Sequence, residues 1–443
     1  MPIAQTALAE MKAVPTKAQE TQFVKEKENA IRDLEDAYTN ELKELNDLRG
    51  EAAAVWHGIN GEVLTQLAEK SAALKAALDA GKAKLEACTN TGALDATLRS
   101  SQAALAAVLQ DFTVSVDSGV ADKWDGSSKA QPSGSGTAAS PYKLGTAAQL
   151  AWFAATVNSG SRSACAVLTA DIDLNGQEWT PIANSGGNNG YTGTFDGGGH
   201  TIMGLTVTTN DQYVGLFGRL GEAGTVKNVV MDGIQITCNH RLGYAGGVAG
   251  FSWGGTIENC SVSGSVSGTI CAGGVVGIQW EASITGCSSS ATVKGMVQVG
   301  GVAGETNAGA TMAACYATGN VTIEIDPIDN IRGGGLVGFN AGSSVLACYA
   351  TGNVTSTGSS AGKVYIGGLL GGNYTTVTAC YWKNNYEQGI GYNKVSIAPE
   401  ATKVDGSVVT WQKAVDAMNR ALQNAGSEWR YELKGALPTL RKQ

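Results

Sequence analysis

The chain has 443 residues, which exceeds the usual size of one compact domain, so at least two structural units are expected. Its formal net charge is -8 at pH 7 and no basic cluster is present, which argues against nucleic acid as the main ligand. No run of about 18 apolar residues occurs, so the sequence predicts no helical membrane span.

Residues 1–115 are rich in Ala, Leu, Glu and Lys and are predicted to form an α-helical stalk. Apolar residues follow a heptad pattern, with Ile31, Tyr38 and Leu45 at one position and Leu34 at the other. The phase of this pattern slips near residue 60, which predicts a local break. An intramolecular hairpin and an oligomeric coiled coil both satisfy the pattern. We favour the homo-oligomer, because a single long helix cannot bury its apolar seam alone.

Residues 116–140 contain the Ser-, Gly- and Pro-rich run KWDGSSKAQPSGSG, which predicts an irregular linker. Residues 141–190 are predicted to open the next domain and to form its N-terminal cap. Within them, residues 147–157 have the pattern of a short amphipathic helix. The side chains expected to face inward are Leu150, Trp152 and Phe153. Such a helix would cover strand edges that the first coil leaves unpaired.

Internal repeats between residues 191 and 385 are the strongest signal in the sequence. Six segments align on a glycine that closes a short apolar strand. These glycines are Gly218, Gly250, Gly277, Gly304, Gly338 and Gly371. Their spacing of 27 to 34 residues, by subtraction, suits one or two coils of a solenoid for each repeat. Short Val- and Ile-rich strands alternate with Gly, Ser and Asn, so stacked coils should form parallel sheets.

A second column follows the closing glycine by 9 to 11 residues. Its members are Val229, Cys260, Cys287, Cys315, Cys348 and Cys380. Metal or disulfide chemistry is one interpretation, but Val replaces Cys in the first repeat and no His lies beside the column. We therefore predict a structural core ladder of small apolar side chains, with no metal and no cofactor.

The repeat GGVAGFSWGGTIENCSVSG and the segments YTGTFDGGGHTIMGLTV and VGLFG resemble the GLUG-repeat family of bacterial surface proteins. The preceding segment SPYKLGTAAQLAWFAATVNSG resembles the module that comes before such repeats in Bacteroidetes surface proteins. The resemblance covers about residues 124–385. It implies a right-handed parallel β-helix used in adhesion or as a spacer, and it implies no reaction. The expected fold class is therefore mainly β, with a helical stalk in front.

Residues 386–443 end the repeat pattern and return to helical periodicity, so they are predicted to form a small α/β C-terminal cap. The segment WQKAVDAMNRALQNAG reads as a helix with one apolar face. The residues on that face are Trp411, Val415, Met418 and Leu422.

Aromatic residues recur just after the closing glycine, where a strand is expected to run into a loop. At the third position after this glycine lie Trp253, Trp280 and Tyr374 in three of the repeats. At the first position after it lie Phe251 and Phe339 in two of them. Stacked repeats could present these rings as a strip that lies against the faces of sugars. Ordinary packing beneath the loop is an equally favoured interpretation.

Catalytic residues are weakly indicated. The histidines are His57, His200 and His240, and none is spaced like the His pair of a zinc helix. The acidic candidates are Asp171, Asp173, Glu324, Asp326 and Asp329. The first two are in a pattern that commonly closes turns, and the last three could hold Ca²⁺ but suit a solvated loop. A β-helix polysaccharide lyase or glycosidase therefore stays an alternative, and we predict no enzyme.

The sequence thus predicts a non-enzymatic attachment or structural fibre protein that faces the outside of a cell or virion. Its expected partner is a surface glycan or a protein receptor, and a passive spacer is the second alternative. The opening stretch lacks the basic and apolar regions of a signal peptide. We expect either a bacterial surface adhesin from which an export signal has been removed or a phage or injection-machine fibre, and we favour the fibre.

Overall fold

The computed structural model describes residues 17–56, 61–109, 123–184, 190–325, 330–358, 362–396 and 398–443. The chain divides into two units, Met1–Gly119 and Val120–Gln443. In the described residues the first unit is helical and the second is mainly β. The boundary lies within the stretch 116–140 that the sequence predicts as a linker.

The described part of the first unit consists of three helices. They are α1 (Lys17–Trp56), α2 (Gly61–Glu86) and α3 (Thr91–Leu109). Helices α1 and α2 run antiparallel, because Lys27 near the start of α1 donates a 2.7 Å hydrogen bond to the carbonyl oxygen of Glu86. Farther along, Lys82 and Glu35 form an ion pair between the same two helices.

Leucines from all three helices form one apolar core. They are Leu34, Leu45, Leu74, Leu78, Leu85, Leu94, Leu105 and Leu109. Of the two arrangements that the heptad pattern allows, the structure therefore has the intramolecular one, with Leu34 and Leu45 covered by helices of the same chain. A second chain is not required to bury these two residues, and the homo-oligomer stays a prediction.

The second unit is a parallel β-solenoid, which confirms the fold predicted from the repeats. A full coil contributes strands in turn to four sheets, which we call C, D, A and B in the order in which they occur within that coil. One such coil contains Tyr244–Gly246, Ala249–Trp253, Thr256–Glu258 and Ser261–Ser267. Sheet D has seven strands in the described residues, which corresponds to about seven coils. One sequence repeat forms one coil.

The strands have the following bounds. Sheet A contains Tyr142–Leu144, Ala166–Leu168, Thr194–Asp196, Thr225–Lys227, Thr256–Glu258, Ser283–Thr285, Thr311–Ala313, Ser344–Leu346 and Val377–Thr378. Sheet B contains Ile172–Asp173, Thr201–Met203, Thr206–Thr209, Val230–Cys238, Ser261–Ser267, Ser288–Ser289, Thr292–Gly295, Tyr316–Ala317, Val321–Glu324, Tyr349–Ala350, Val354–Thr357, Cys380–Trp382 and Ala401–Lys403. Sheet C contains Tyr213–Val214, Tyr244–Gly246, Cys271–Gly273, Gln298–Gly300, Ile331–Gly334 and Val364–Gly367. Sheet D contains Phe217–Leu220, Ala249–Trp253, Val276–Trp280, Ala303–Asn307, Val337–Asn340, Leu370–Asn373 and Ile390–Asn393.

The closing glycines let the backbones of sheets C and D approach closely. A Cβ added at Gly304 would lie 2.7 Å from the carbonyl oxygen of Gly277 and 2.8 Å from the backbone nitrogen of Ala272. A Cβ at Gly338 would lie 2.4 Å from the backbone nitrogen of Val299. These distances are too short for a methyl group, so glycine alone fits without a shift of the backbone.

A ladder of buried polar side chains lines the inner surface of sheet D. Its fully buried members are Ser252, Gln279, Thr306, Asn340 and Asn373. Asn340 Nδ2 donates to Asn373 Oδ1 at 2.8 Å, and Asn373 Nδ2 donates to Asn393 Oδ1 at 2.9 Å. The asparagine amides therefore satisfy one another from coil to coil, as buried polar groups require.

Helix α4 (Ala147–Asn158) packs on the first coils of the solenoid. It begins after Thr146, whose hydroxyl accepts a 3.3 Å hydrogen bond from the backbone nitrogen of Gln149. Its side chains Leu150 and Phe153 are fully buried, and Trp152 is partly buried against the same core. The preceding segment also joins this core: Trp124 lies 6.0 Å from Trp179, measured between ring centroids, and is buried.

The C-terminal module contains helix α5 (Trp411–Asn424) and an antiparallel pair, Trp429–Glu432 with Thr439–Lys442. The predicted apolar face of α5 is buried. Its core lies along the side of the solenoid where sheets A and B meet, because Tyr431 Oη donates to the carbonyl oxygen of Ala347 at 3.0 Å. Lys442 forms a 2.8 Å ion pair with Glu258, which lies three coils before the coil of Ala347. The expected α/β module is present, and it braces several coils laterally.

Candidate functional site

Two columns of side chains run next to each other along the outside of sheets C and D. Strand pairing places in the sheet C column Tyr213, Tyr244, Cys271, Gln298, Arg332 and Tyr365. The sheet D column contains Arg219, Phe251, Ile278, Glu305, Phe339, Gly372 and Tyr392. Because the closing glycines bring the two sheets together, side chains of the two columns contact each other. We call this surface the C/D face.

The first part of the C/D face is a cation held among aromatic rings. The guanidinium carbon of Arg219 lies 4.8 Å from the ring centroid of Phe251, 5.7 Å from that of Tyr213 and 5.6 Å from that of Trp253. The rings of Tyr213 and Tyr244 are stacked at 5.5 Å with an interplanar angle of 18°. Burial lowers the pKa of Arg219, but a guanidinium keeps its charge, so the rings stabilise a fixed cation.

Two tryptophans lie at the end of neighbouring sheet D strands. Trp253 and Trp280 are paired in register, and each has 40% of its surface exposed. The indole nitrogen of Trp253 donates to a carboxylate oxygen of Glu281 at 3.4 Å. Parallel strands are about 4.8 Å apart, so the two indoles are neighbours on the surface. They are the large exposed rings that an apolar ligand face would meet first.

Polar groups occupy the middle of the C/D face. Glu305 accepts a 3.0 Å hydrogen bond from Asn307 Nδ2, and the thiol of Cys271 lies 2.8 Å from the side-chain oxygen of Gln298. Burial raises the pKa of Glu305, although Arg332 opposes that shift. Burial, with smaller contributions from Cys271 and other neighbours, raises the pKa of Tyr244 to about 12. Glu305, Gln298 and Tyr244 are partly exposed and can exchange hydrogen bonds with a hydroxyl-rich ligand, whereas the Cys271 thiol is fully buried.

A second aromatic cluster begins at Phe339, four coils after Arg219. Arg332 lies over the ring of Phe339, with 4.0 Å between the guanidinium carbon and the ring centroid. Phe339 and Tyr374 meet edge to face at 5.0 Å. The rings of Tyr365 and Tyr392 extend the cluster, with centroids 4.8 Å apart. The C/D face is therefore aromatic at two places with a polar section between them.

The structure divides the predicted aromatic strip into two parts. Trp253 and Trp280 are adjacent, whereas Asn307 occupies the equivalent position in the next coil. Tyr374 belongs to the second cluster. The two phenylalanines, Phe251 and Phe339, lie inside sheet D strands and touch arginines, so they support the surface from within. Their role in ligand binding stays a prediction.

Sequence reasoning missed the sheet C column. Its members Tyr244, Gln298, Arg332 and Tyr365 each precede the closing glycine by six residues, so the spacing was available. The residue types at this position differ from coil to coil. Nothing in the sequence indicates that the sheet C position and the sheet D position of one coil lie next to each other in space. Only the close packing of sheets C and D brings them onto one surface.

The predicted core column lies at the corner between sheets A and B. Val229 and the five cysteines are at most 1% exposed. The thiol of Cys315 donates to the carbonyl oxygen of Ala313 at 3.2 Å, and that of Cys348 donates to the carbonyl oxygen of Leu346 at 3.2 Å. Burial raises the pKa of Cys260 well above its usual range, so its thiolate is disfavoured. All nine cysteines of the chain are free and buried.

The acidic candidates take part in turns and ion pairs. Asp171 accepts a 2.9 Å hydrogen bond from the backbone nitrogen of Thr201, and Asp173 accepts one of 2.7 Å from that of Asn175. Glu324 forms a 2.7 Å ion pair with Lys294. Three further candidates lie outside the described residues: His57, Asp326 and Asp329.

The remaining histidines have local partners. His200 Nδ1 lies 3.4 Å from a carboxylate oxygen of Asp171, and His240 Nδ1 accepts a 3.0 Å hydrogen bond from the backbone nitrogen of Leu242. Within the described ranges, no three His, Cys, Asp or Glu side chains gather as metal ligands would. No helix in that part of the chain is long and apolar enough to cross a membrane.

A Gly-rich solenoid with one repeat in each coil defines a class of β-helical repeat proteins, and comparison identifies the repeat. The family model described as the GLUG motif matches residues 242–267, 268–294 and 329–355. Each match is about one coil in length. Three segments of the solenoid therefore match the GLUG motif, which confirms the sequence resemblance in the repeat region.

Two relatives match parts of this chain. Halomucin of Haloquadratum walsbyi is 35% identical over 145 residues, which are 30% of this chain and 2% of halomucin. A protein of Evansella cellulosilytica, provisionally described as a Gly-rich membrane protein, is 34% identical over 133 residues, which are 29% of this chain and 15% of that protein. The chain thus spans a small share of either relative.

A crystal structure from Bacteroides ovatus, provisionally described as an immunoglobulin A1 protease, has a similar fold. The superposition has a TM-score of 0.50 with 20% sequence identity and covers 70% of this chain and 94% of that one. At this identity the likeness concerns the fold alone.

Proposed function

We propose that this chain is a non-enzymatic surface attachment protein whose C/D face binds a glycan chain. The observation that carries the proposal is the in-register pair Trp253 and Trp280, both exposed, with the buried guanidinium of Arg219 beside Trp253. Sugar rings have one apolar face, which stacks on aromatic side chains, and hydroxyl groups at their edges. The polar section around Glu305 would meet those hydroxyl groups.

The geometry favours a linear polymer that lies along the solenoid axis. Coils recur every ~4.8 Å, which is close to the length of one pyranose unit, so each sugar can contact one coil. The two aromatic clusters, around Arg219 and Arg332, lie about four coils apart, or roughly 20 Å, so a short oligosaccharide can reach both. Two weak contacts on one ligand increase the affinity through effective concentration.

Display on a cell surface or virion is part of the proposal. A relative described as a Gly-rich membrane protein supports a surface location, and GLUG repeats that stack into a rigid rod suit a protein that projects. The helical unit would anchor the solenoid, directly or as a homo-oligomer. A bacterial surface adhesin and a phage or injection-machine fibre both fit these features.

The test is binding of the full chain to a panel of immobilised polysaccharides, which includes cellulose, xylan, mannan and chitin. The double variant Trp253→Ala with Trp280→Ala should bind at least about tenfold more weakly, because each ring contributes roughly 1 kcal/mol of stacking. Val408→Ala is the matched control, since Val408 is a large exposed apolar residue outside the C/D face.

Each outcome of that experiment distinguishes between the possible functions. Binding that is equal in the parent and the double variant would exclude the tryptophans as the contact surface. No binding to any polysaccharide or to whole bacterial cells would favour a passive spacer. Release of reducing ends during incubation would instead indicate a lyase or a glycosidase.

A further inference from the structure

A trough on sheet B, beneath the C-terminal module, has the features of a second binding site. One cavity of about 330 Å³ lies between sheet B and residues Leu437, Pro438 and Thr439. A second, of about 180 Å³, adjoins it. The two share the lining residues Val230, Ser261, Ser288, Tyr316 and Thr439. They are therefore parts of one concave surface, which we call the sheet B trough.

The trough exists because one outward column of sheet B changes residue type. Strand pairing places Ser261, Ser288, Tyr316, Tyr349 and Tyr381 at equivalent positions in successive coils. Tyr316 and Tyr349 are stacked with 4.9 Å between ring centroids and an interplanar angle of 2°. Ser288 is the strand partner of Tyr316 on the side away from Tyr349, so the second face of the Tyr316 ring is on the Ser288 side. A serine cannot fill the space of a ring, so this face of Tyr316 borders the cavity.

Polar groups and a fixed lip complete the trough. Asp232 and Ser263 line its floor, where the hydroxyl of Ser263 donates to Asp232 and accepts a 3.0 Å hydrogen bond from the backbone nitrogen of Gly233. On the other side, Tyr349 Oη donates to the carbonyl oxygen of Pro438 at 2.5 Å. This bond ties the C-terminal module to the wall of the trough, so the cavity is formed before a ligand arrives.

We propose that the sheet B trough binds a single pyranose sugar, stacked on Tyr316 with its hydroxyl groups directed at Asp232, Ser261 and Ser288. An aromatic platform faced by hydroxyl and carboxylate groups is the arrangement that recognises a ring with one apolar face and a polar edge. The volume suits one sugar and is too small for a long chain. The site is on sheet B, whereas the C/D face is formed by sheets C and D, so the two bind independently.

The variant Ser288→Tyr tests the proposal, because it continues the tyrosine column and fills the cavity. We would titrate the full chain with methyl glycosides of glucose, galactose, mannose and N-acetylglucosamine, and follow binding by saturation-transfer NMR. At least one glycoside should bind the parent, and Ser288→Tyr should weaken that binding at least about tenfold while the melting temperature stays equal or rises. Asp232→Asn should weaken it without filling the cavity.

Ser265→Tyr is the matched control, since Ser265 is an exposed serine of the same sheet that does not line the trough. It should bind the glycoside like the parent. The variant of Trp253 and Trp280 should also keep this binding, which separates the trough from the C/D face. Equal binding by the parent and Ser288→Tyr, or no binding by any glycoside at millimolar concentration, would overturn the proposal.

Discussion

Replacing Asn340 by Ala should destabilise the solenoid strongly, because this side chain is fully buried and joins three coils. Its Oδ1 accepts hydrogen bonds from Thr306 Oγ1 at 2.9 Å and from the backbone nitrogen of Ser343 at 3.0 Å. Its Nδ2 donates to Asn373 Oδ1 at 2.8 Å. Removal of the amide therefore takes a hydrogen-bond partner from three groups.

The magnitude follows from those three groups. An unsatisfied buried polar group costs about 1–3 kcal/mol. Asn373 Oδ1 keeps a 3.5 Å hydrogen bond from the backbone nitrogen of Thr375, and the Thr306 hydroxyl can rotate, so the lower part of that range applies to these two groups. We expect the free energy of opening in this region to fall by about 3–5 kcal/mol.

Hydrogen exchange measured by mass spectrometry is the suitable assay, since a repeat protein opens locally and one global value would average over coils. Peptides that contain the strand Val337–Asn340 should exchange faster in Asn340→Ala. Asn393→Ala is the control: Asn393 accepts from Asn373 at 2.9 Å but is exposed, so water can replace it at a cost below about 1 kcal/mol. Equal acceleration in both variants would refute the reasoning.

Two further predictions concern other columns. Cys348→Val should change the free energy of unfolding by less than about 1.5 kcal/mol, because Val229 occupies the same place in the first repeat; a larger loss in guanidinium denaturation would show that the thiol has a specific role. Glu305→Gln should become more stable relative to the parent as the pH rises above 4.5, the ordinary carboxyl pKa, through the raised pKa of Glu305. The native state of the parent must then ionise a buried group, so parallel melts from pH 4.5 to 7.5 that show no divergence would contradict that assignment.

The repeat frame could be read from the sequence because each feature is local and recurs. The number of residues between the closing glycine and the cysteine is nearly constant from repeat to repeat. Because one repeat forms one coil, residues at equivalent positions of the repeats are neighbours in the structure. The same logic identified Leu150 and Phe153 as the buried face of the capping helix, since helical periodicity alone determines that face. These positions required no knowledge of distant parts of the chain.

Other features depend on which surfaces meet. A heptad seam is satisfied equally by the chain's own helices and by a second chain, so the pattern around Leu34 could not choose between a hairpin and an oligomer. The sheet C column joined the tryptophans only because glycines such as Gly338 allow two sheets to touch. The lateral position of the C-terminal module depends on contacts between residues far apart in sequence, such as Lys442 with Glu258.

Both proposed sites lie where a column of the solenoid changes its residue type. A column of identical side chains satisfies itself, as the amides of Asn340 and Asn373 do, and leaves no group for a ligand. A change from tyrosine to serine leaves the ring face of Tyr316 without a stacking partner beside small side chains. At Trp280 the next coil has Asn307, so the exposed indole column ends there. The regular columns of the solenoid therefore stabilise the fold. Positions at which a column changes its residue type are those where a substitution should alter ligand binding without unfolding the solenoid.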